Sequence, residues 1–216
     1  MSELVVHGVP GSPYYRSALL GLEEKGLPYR LRFLKPGDSK SPEHLARHPF
    51  GRIPVLDHGD FSLYETQAIL RYVDTLSTRS ALQPQDPQAA ARMNQIVGIV
   101  DWYVFPTISV NICAERLLAQ LFWQRPTNEQ TVAAAVPQAR VCIRELDRLR
   151  GGSAFMAGDS VSIADLMLLP HMEFFTATPE GQAMLKGTGV EEWLGRMRSR
   201  PSVQATERDR LMTKAA

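Results

Sequence analysis

The stretch HPFGRIPVLDHGDFSLYETQAI, residues 48–69, decides the fold of the first part of this chain. Two short apolar runs, Ile53–Leu56 and Phe61–Tyr64, flank His58-Gly59-Asp60, and this pattern predicts two strands joined by a hairpin turn. After the second strand the apolar residues recur at helical spacing, which predicts a helix with one buried face. The residues on that face are Ile69, Tyr72, Val73 and Leu76.

The residues before this stretch alternate between strand-like and helix-like patterns. Leu4–His7 is an apolar run typical of a buried strand, and Tyr29–Leu34 alternates as a second strand. Between them lies a predicted amphipathic helix, and Ser41-Pro42-Glu43 predicts the start of another helix. Residues 1–79 are therefore expected to form an α/β domain with the order β-α-β-α-β-β-α. The apolar face of the first helix consists of Tyr15, Ala18, Leu19 and Leu22.

The chain changes character after Ser77–Pro87, a polar segment with two prolines that we interpret as a linker. Beyond it the apolar residues follow helical spacing, and we find no strand pattern of any length. Residues 87–216 are therefore expected to form an all-α domain. Its first helix is predicted from about Ala89 to beyond Leu118, kinked or divided at Pro106.

Three further helices are predicted in this second domain. Glu129–Leu149 has helical spacing and is closed by Gly151-Gly152, while Pro137 inside it predicts a late start or a bend. Ser162-Ile163-Ala164-Asp165 has the form of a capping box that leads into an apolar helix. Glu191–Arg198 is predicted as a short helix.

The bulk composition excludes several function classes. Lys and Arg number 24 against 23 acidic residues, for a net charge of +1, so we expect no nucleic-acid partner, whose binding requires excess positive charge. No apolar run reaches about 18 residues, and the start of the chain lacks signal-peptide features, so we expect no membrane association. Cys113 and Cys142 lie far apart without metal-binding or CxxC spacing. We expect them to be buried free thiols, and we expect no metal and a cytoplasmic location.

Several segments together resemble the glutathione transferase family. Residues 48–56 and 60–69 resemble its first domain, and Gly158–Asp165 resembles the folding motif of its second domain. Trp193 followed by Arg200-Pro201-Ser202 is similar to its C-terminal signature. The resemblance covers nearly the whole chain and is closest to the serine-using, phi-like members. It implies a thioredoxin-like N-terminal domain that binds glutathione and an all-α C-terminal helical bundle that binds the second substrate.

The resemblance also implies a set of glutathione-binding residues. In Ile53-Pro54 the family has a cis proline, which leaves the Ile53 backbone to pair with the cysteinyl part of glutathione; an ordinary proline at a strand start is the alternative. Glu65 and Thr66 open a helix whose N-terminus suits the γ-glutamyl carboxylate, although both also suit a plain helix start. The glycyl end would meet Lys40, which suits a solvated loop equally well, and Arg52, which replaces a common glutamine.

Ser12 is the candidate for thiol activation. With Arg16 it keeps the S-x-x-x-R spacing of the phi-like members, on the turn between the first strand and the first helix. Lowering the thiol pKa by about two units requires roughly 2.7 kcal/mol in favour of the thiolate. One hydrogen bond to a charged acceptor contributes ~1.5–3 kcal/mol, and a helix N-terminus adds ~0.3–1 kcal/mol, so one serine is sufficient.

Other roles remain open for the residues around Ser12. A serine at this point also suits a simple turn or helix cap. Tyr14 and Tyr15 are alternative activating hydroxyls, of which Tyr15 belongs to the predicted core. Arg16 is expected to make a structural ion pair.

The second-substrate pocket and the oligomeric state are also implied by the resemblance. The pocket candidates lie near the first turn and in an aromatic-rich part of the second domain, most of which is expected to be core. Phe50 matches a family aromatic that inserts into the partner subunit, which implies a homodimer. Burial of Phe50 within its own subunit is the alternative. The pocket candidates are Tyr14, Tyr103, Thr107 and Val110.

The expected function is a detoxifying transferase. It would use glutathione as co-substrate and conjugate the thiolate to a small apolar electrophile, with organic hydroperoxides as further substrates. A thiol–disulfide reductase of the same fold would need a cysteine at position 12, where this chain has serine. A non-catalytic binding or assembly module is the other alternative, and the intact set of Ser12, Pro54, Glu65 and Thr66 argues against it.

Overall fold

The computed structural model describes residues 2–214, and within this range the chain forms two compact units. One contains the residues up to Gln83 together with those from Ser199 onward, and the other is Pro84–Arg198. The domains predicted from the sequence differ from these units at the C-terminus. The prediction placed residues 87–216 in the helical domain, whereas the residues from Ser199 onward belong to the first unit. Met1, Ala215 and Ala216, which those domains included, lie outside the described residues.

The first unit has the predicted element order and a mixed sheet of four strands. Its elements are β1 (Leu4–Gly8), α1 (Pro13–Lys25), β2 (Arg30–Phe33), a 3₁₀ turn (Asp38–Lys40), α2 (Pro42–Arg47), β3 (Val55–His58), β4 (Phe61–Tyr64) and α3 (Thr66–Thr75). The strand order is β2-β1-β3-β4. β1 and β2 are parallel, whereas β3 is antiparallel to both β1 and β4.

Local signals explain where the helices of this unit begin and end. α1 begins after the N-cap Ser12, and it ends at Gly26, whose φ of 61° satisfies the left-handed conformation of a helix C-cap. α2 begins after Ser41, whose side chain accepts a hydrogen bond from the His44 amide. The predicted core face of α1 packs with Leu4 and Val6 of β1 and with the buried face of α3.

The second unit is helical throughout its regular structure. Its elements are α4 (Pro87–Ile99), a π-helical segment (Val100–Ala114), α5 (Glu115–Leu117), α6 (Ala119–Trp123), α7 (Glu129–Arg150), α8 (Ile163–Thr176), α9 (Pro179–Leu185) and α10 (Gly189–Arg198). α4, the π-helical segment and α5 together form one helix from Pro87 to Leu117 that is long and apolar enough to cross a membrane by length and composition alone, and 44% of its most apolar stretch is buried in the protein.

Two prolines lie inside helices that continue past them, so neither divides its helix. Pro106 lies inside the π-helical segment, where the wider turn accommodates the proline ring and the missing N–H. The continuous helix ends at Leu117 and does not extend beyond Leu118. Pro137 lies within α7, which begins at Glu129 under the Asn128 cap, so the predicted late start was wrong.

The capping box predicted at the start of α8 is present. The Asp165 carboxylate accepts hydrogen bonds from the Ser162 amide and hydroxyl, the Met156 amide and the Trp193 indole N–H, each at 2.8 Å. Burial raises the pKa of the Asp165 carboxyl, and these four donors oppose that rise. Asp165 therefore joins the loop before α8 to α10.

Two short helices, α11 (Pro201–Ala205) and α12 (Arg208–Lys214), follow in the first unit. Neither helix was predicted from the sequence. Leu211 of α12 is 1% exposed and lies in the same core cluster as Tyr15 and Ala18 of α1. This burial explains why the C-terminal segment belongs with the α/β domain.

Candidate active site

The topology of the sheet brings the predicted site residues of the first unit to one edge. His7 at the end of β1 pairs with Val55 at the start of β3, and Val55 pairs with Tyr64 at the end of β4. The residues that follow β1, precede β3 and follow β4 therefore meet at the same edge. These are Ser12, Ile53-Pro54 and Glu65-Thr66.

Ser12 caps α1 at this edge, and its hydroxyl is half-buried. Its Oγ accepts a hydrogen bond from the Tyr15 amide at 3.4 Å. This bond uses an acceptor lone pair, so the hydroxyl hydrogen remains able to donate to another group. The N-cap role and a role in thiolate stabilisation are thus compatible in one geometry.

The two neighbouring tyrosines differ in their environments. Tyr15 is fully buried, as predicted, and its hydroxyl has no hydrogen-bond partner among residues 2–214. Burial raises the pKa of the Tyr15 phenol above its usual range. Tyr14 is half-buried. Tyr15 is therefore a core residue, and Tyr14 is the accessible rival to Ser12.

Glu65 occupies an unusual backbone conformation directly before α3. Its φ of 69° and ψ of 112° are rare for a residue with a side chain and cost of order 1–3 kcal/mol. Its side chain is exposed, whereas Thr66 is 6% exposed. The Glu65 side chain makes no cap hydrogen bond to the first turn of α3, and the positive end of the helix dipole there favours an anion.

The Ile53-Pro54 peptide bond is cis, as the resemblance implied. Within residues 2–214 the backbone N–H and C=O of Ile53 make no hydrogen bond. The preceding carbonyl, that of Arg52, accepts a hydrogen bond of 2.7 Å from the buried His44 ring, while the Arg52 side chain is exposed. Sequence reasoning missed His44, because nothing in its local sequence indicates that α2 packs on this loop.

Lys40 is exposed and lies against the same loop. A Cβ atom at Gly51 would lie 2.8 Å from both the Lys40 Nζ and the Ser39 carbonyl oxygen, and Gly51 has a φ of 61°. A side chain at Gly51 would crowd the Ser39 carbonyl oxygen and displace the Lys40 ammonium group. The structure therefore brings Lys40 next to the residues that precede the cis proline.

Phe50 stands at the end of an aromatic cluster beside this site. It is 66% exposed, which rules out burial within its own subunit. Its ring makes edge contacts with His48 and Tyr64 at centroid distances of 6.1 and 6.4 Å, and those two rings stack at 4.5 Å. Burial lowers the pKa of His48, and the nearby Glu65 carboxylate opposes the shift. Phe50 is thus an exposed apolar side chain that contacts the buried His48 ring and the half-buried Tyr64 ring.

The remaining candidates for the second-substrate pocket lie in the second unit, on the π-helical segment. Tyr103 is 52% exposed and Val110 is 43% exposed, while Thr107 is half-buried. They provide accessible apolar surface on one stretch of helix. The part of the chain that the structure describes contains no cluster of three or more His, Cys, Asp or Glu able to hold a metal ion.

Both cysteines of the second unit are buried and free, as predicted. Burial raises the pKa of the Cys142 thiol to about 11, and it raises the pKa of Cys113 further. A thiol with a raised pKa supplies little thiolate at neutral pH. Neither cysteine therefore has the properties of a redox nucleophile.

Comparisons with known proteins agree with this fold. Residues 6–81 match the family described as glutathione S-transferase, N-terminal domain. A probable glutathione S-transferase of rice, Oryza sativa subsp. japonica, is 30% identical over 208 residues, covering 94% of this chain and 95% of the relative.

Two solved structures show the same fold. A Populus trichocarpa glutathione transferase matches with a TM-score of 0.85 at 25% identity, covering 94% of this chain and 97% of that chain. A glutathione S-transferase-I bound to lactoylglutathione has a TM-score of 0.85 at 24% identity, covering 95% of this chain and 98% of that one. Because the similarity to the rice relative extends over nearly all of both chains at 30% identity, this chain belongs to the glutathione S-transferase family, and it resembles the serine-type, phi-like members.

Proposed function

We propose that this glutathione transferase activates the glutathione thiol with the Ser12 hydroxyl and transfers it to small apolar electrophiles. The observation that carries this proposal is the convergence of Ser12, Ile53-Pro54 and Glu65-Thr66 at one edge of the sheet. These residues offer the Ser12 hydroxyl as a donor, the backbone of Ile53 and the N-terminus of α3 to one ligand.

Each part of glutathione has a partner of matching chemistry in this arrangement. The γ-glutamyl carboxylate binds the first amides of α3 and the Thr66 hydroxyl, and its ammonium group binds the Glu65 carboxylate. The cysteinyl backbone pairs with the free N–H and C=O of Ile53. The glycyl carboxylate binds between the side chains of Lys40 and Arg52, since Lys40 lies against Gly51, the residue before Arg52.

Ser12 acts as a hydrogen-bond donor and not as a base. Its Oγ already accepts from the Tyr15 amide, so its own hydrogen donates to the glutathione sulfur. Such a bond favours the thiolate, which attacks the electrophilic carbon while the leaving group departs with the electron pair. With an organic hydroperoxide the thiolate attacks the terminal oxygen, the O–O bond breaks, and the alkoxide takes a proton from solvent to leave as the alcohol. A second glutathione then converts the sulfenic acid to disulfide and water.

The test is turnover of a chlorinated nitroaromatic with millimolar glutathione by wild type, Ser12→Ala and Tyr14→Phe. We expect Ser12→Ala to lose about 10²-fold in kcat, since one preorganised donor is removed, while retention on glutathione-agarose persists. Tyr14→Phe should keep its kcat. Loss of activity in Tyr14→Phe, with activity retained in Ser12→Ala, would assign the chemistry to the tyrosine.

Within the second unit, the electrophile is proposed to contact Tyr103, Thr107 and Val110. Exposed apolar side chains of this kind bind apolar ligands by burying surface. Tyr103→Ala should raise KM for the nitroaromatic and leave KM for glutathione unchanged. Trp102→Ala is the matched control, because Trp102 is the adjacent aromatic and is 78% exposed. Equal effects of the two variants would contradict this pocket.

A homodimer is proposed with Phe50 as its anchor. An exposed aromatic that is already fixed by neighbouring rings loses little conformational entropy on binding, as interface hot spots require. Phe50→Ala should lower the dimer fraction measured by sedimentation, with a loss of about 2 kcal/mol or more. Phe61→Ala, at an aromatic 49% exposed on β4, is the control. A monomeric wild type at micromolar concentration would contradict the proposal.

The cellular setting proposed is the cytoplasm, with detoxification of reactive apolar compounds as the role. The two buried free thiols support a reducing compartment.

The raised pKa values of the Cys113 and Cys142 thiols argue against disulfide reductase activity. A variant with Cys113→Ala and Cys142→Ala should therefore conjugate glutathione as wild type does.

A further inference from the structure

The C-terminal segment of the first unit packs along α1, the helix that carries Ser12 at its start. We call residues 199–211 the C-terminal clamp. Its buried residues include Thr206, which is fully buried, and Leu211, which is 1% exposed. Leu211 enters the core cluster beside Tyr15 and Ala18. The clamp therefore belongs to the same packed core as the first turns of α1.

Polar contacts attach the clamp to α1 at two separate points. Near the start of α1, Arg16 Nε donates to Thr206 Oγ1 at 3.3 Å, and Arg16 Nη2 donates to the Val203 carbonyl oxygen at 3.2 Å. Near its end, Arg200 donates two hydrogen bonds of 2.8 and 2.7 Å to the Glu24 carboxylate. The first attachment lies one helical turn from Ser12, and the second lies at the opposite end of the helix.

The near attachment is connected to Ser12 through a single helical turn. The Arg16 amide donates to the Ser12 carbonyl oxygen at 3.0 Å, and the Tyr15 amide donates to the Ser12 hydroxyl. On the clamp side, the Thr206 hydroxyl donates to the carbonyl oxygens of Ser202 and Val203 at 3.0 and 3.1 Å, which leaves its oxygen to accept from Arg16. The position of the Ser12 turn is therefore coupled to a buried, hydrogen-bonded group in the clamp.

We propose that Arg16 is a positioning residue for thiol activation, and that the C-terminal clamp holds the Ser12 turn through it. This inference rests on the proposed function of Ser12. A catalytic group that consists of one hydroxyl depends on its placement, because a misplacement of about 1 Å can cost ~10²-fold in rate. The sequence marks this arrangement only by the S-x-x-x-R spacing, since Thr206 is far away in the chain.

A direct effect of the Arg16 charge on the thiolate is the competing explanation, and two substitutions separate it from positioning. Thr206→Val keeps the Arg16 charge and the side-chain volume but removes the acceptor for Arg16 Nε. Arg16→Lys keeps the charge, but a single ammonium group cannot reproduce both guanidinium contacts. Positioning predicts that both substitutions impair thiol activation, whereas a charge effect predicts that neither does.

The experiment measures the pKa of the glutathione thiol bound to the full-length protein, from thiolate absorbance as a function of pH, together with kcat for the chlorinated nitroaromatic. Arg16→Lys, Arg16→Gln and Thr206→Val should each raise the bound thiol pKa toward the value of Ser12→Ala, and lower kcat by about tenfold or more. KM for glutathione should stay within about threefold, because the tripeptide contacts lie elsewhere. Thr206→Ser should restore wild-type values.

Glu24→Gln is the matched control, since it disrupts the clamp at the far end of the same helix. It should lower the melting temperature and leave the bound thiol pKa unchanged. In a Ser12→Ala background, Arg16→Gln should produce no further rise in that pKa, because both changes act through one hydroxyl. A purely structural role would instead lower stability in both backgrounds without a shift in thiol pKa.

The outcomes distinguish this inference from the proposed function. If Ser12→Ala leaves the bound thiol pKa unchanged, Ser12 is not the activating group and both proposals are overturned. If Ser12→Ala raises it while folded Arg16→Lys and Thr206→Val do not, only the positioning role is overturned. Should Arg16→Gln fail to fold, the bound thiol pKa of Thr206→Val compared with that of Thr206→Ser tests the positioning role on its own.

Discussion

Asp165→Asn removes the charge of a carboxylate that is completely buried and accepts four hydrogen bonds. Met156 N–H and the Trp193 indole donate to Oδ1, while the amide and hydroxyl of Ser162 donate to Oδ2. In the orientation that keeps more hydrogen bonds, the Asn oxygen replaces Oδ1 and accepts from the Met156 N–H and the Trp193 indole. The Asn amide group then faces the Ser162 N–H, which loses its acceptor, whereas the Ser162 hydroxyl can rotate to accept.

The cost follows from these changes. One buried N–H without an acceptor costs about 1–3 kcal/mol, and the remaining hydrogen bonds become weaker when their acceptor is neutral. Burying a neutral side chain in place of a charged one offsets part of this loss. We therefore expect Asp165→Asn to lower the free energy of unfolding by about 2–4 kcal/mol, a large share of the ~5–15 kcal/mol typical of a folded protein.

Urea unfolding followed by far-UV circular dichroism, at one fixed protein concentration, measures this change. Asp159→Asn is the control, since Asp159 is an exposed aspartate in the loop before α8 and its substitution should change stability by less than about 0.5 kcal/mol. Trp193→Phe removes one donor to Asp165 and keeps a buried aromatic ring, so the double variant should lose less than the sum of the single changes. Equal stability of Asp165→Asn and Asp159→Asn would refute the reasoning.

Other substitutions test the packing and electrostatics of both units. Burial lowers the pKa of His171 from 6.5 to about 3 in the folded protein. As the pH falls below 6.5, His171 therefore binds a proton in the unfolded chain but not in the folded one. Stability should then fall by up to about 1.4 kcal/mol per pH unit, and His171→Gln should reduce this slope in urea titrations between pH 6.5 and 5. Glu65→Gln should weaken glutathione binding about tenfold by calorimetry while unfolding stays within about 0.5 kcal/mol. Gly8→Ala would bring a Cβ atom to 2.1 Å from the Tyr15 ring and should cost about 1–3 kcal/mol, whereas Gly98→Ala, with no atom within 4 Å, should stabilise by about 0.4–1 kcal/mol. A stable Gly8→Ala variant would show that the Tyr15 ring can move.

The strands and caps of the first unit could be predicted because their signals are local. Ser41 and Gly26 mark helix ends through their own side-chain and backbone chemistry. The hairpin was predicted with its first strand at Ile53–Leu56, whereas β3 is Val55–His58. The shift arises because β3 pairs with β1 as far as His58 opposite Leu4, and periodicity within a hairpin does not contain that pairing.

The long-range parts of the fold could not be predicted in this way. Apolar spacing identifies a buried helix face but not the unit that covers it. The sequence therefore grouped residues 199–214 with the helical domain, whereas Leu211 packs in the core cluster of the first unit. The support that His44 provides to the Arg52 carbonyl likewise depends on how α2 packs. Ser12 and Glu65 were identifiable as candidates from the resemblance, while the backbone strain at Glu65 is visible only in the structure.

The pKa of the glutathione thiol bound to wild type and to Ser12→Ala tests the central claim most directly. A hydrogen bond from Ser12 together with the N-terminus of α1 should lower the thiol pKa by about two units from ~8.5. Difference absorbance of the thiolate should therefore give a value of about 6.5 for wild type and a value near 8.5 for Ser12→Ala, with glutathione bound to both proteins. A wild-type value near 8.5, or equally low values for the two proteins, would contradict the account.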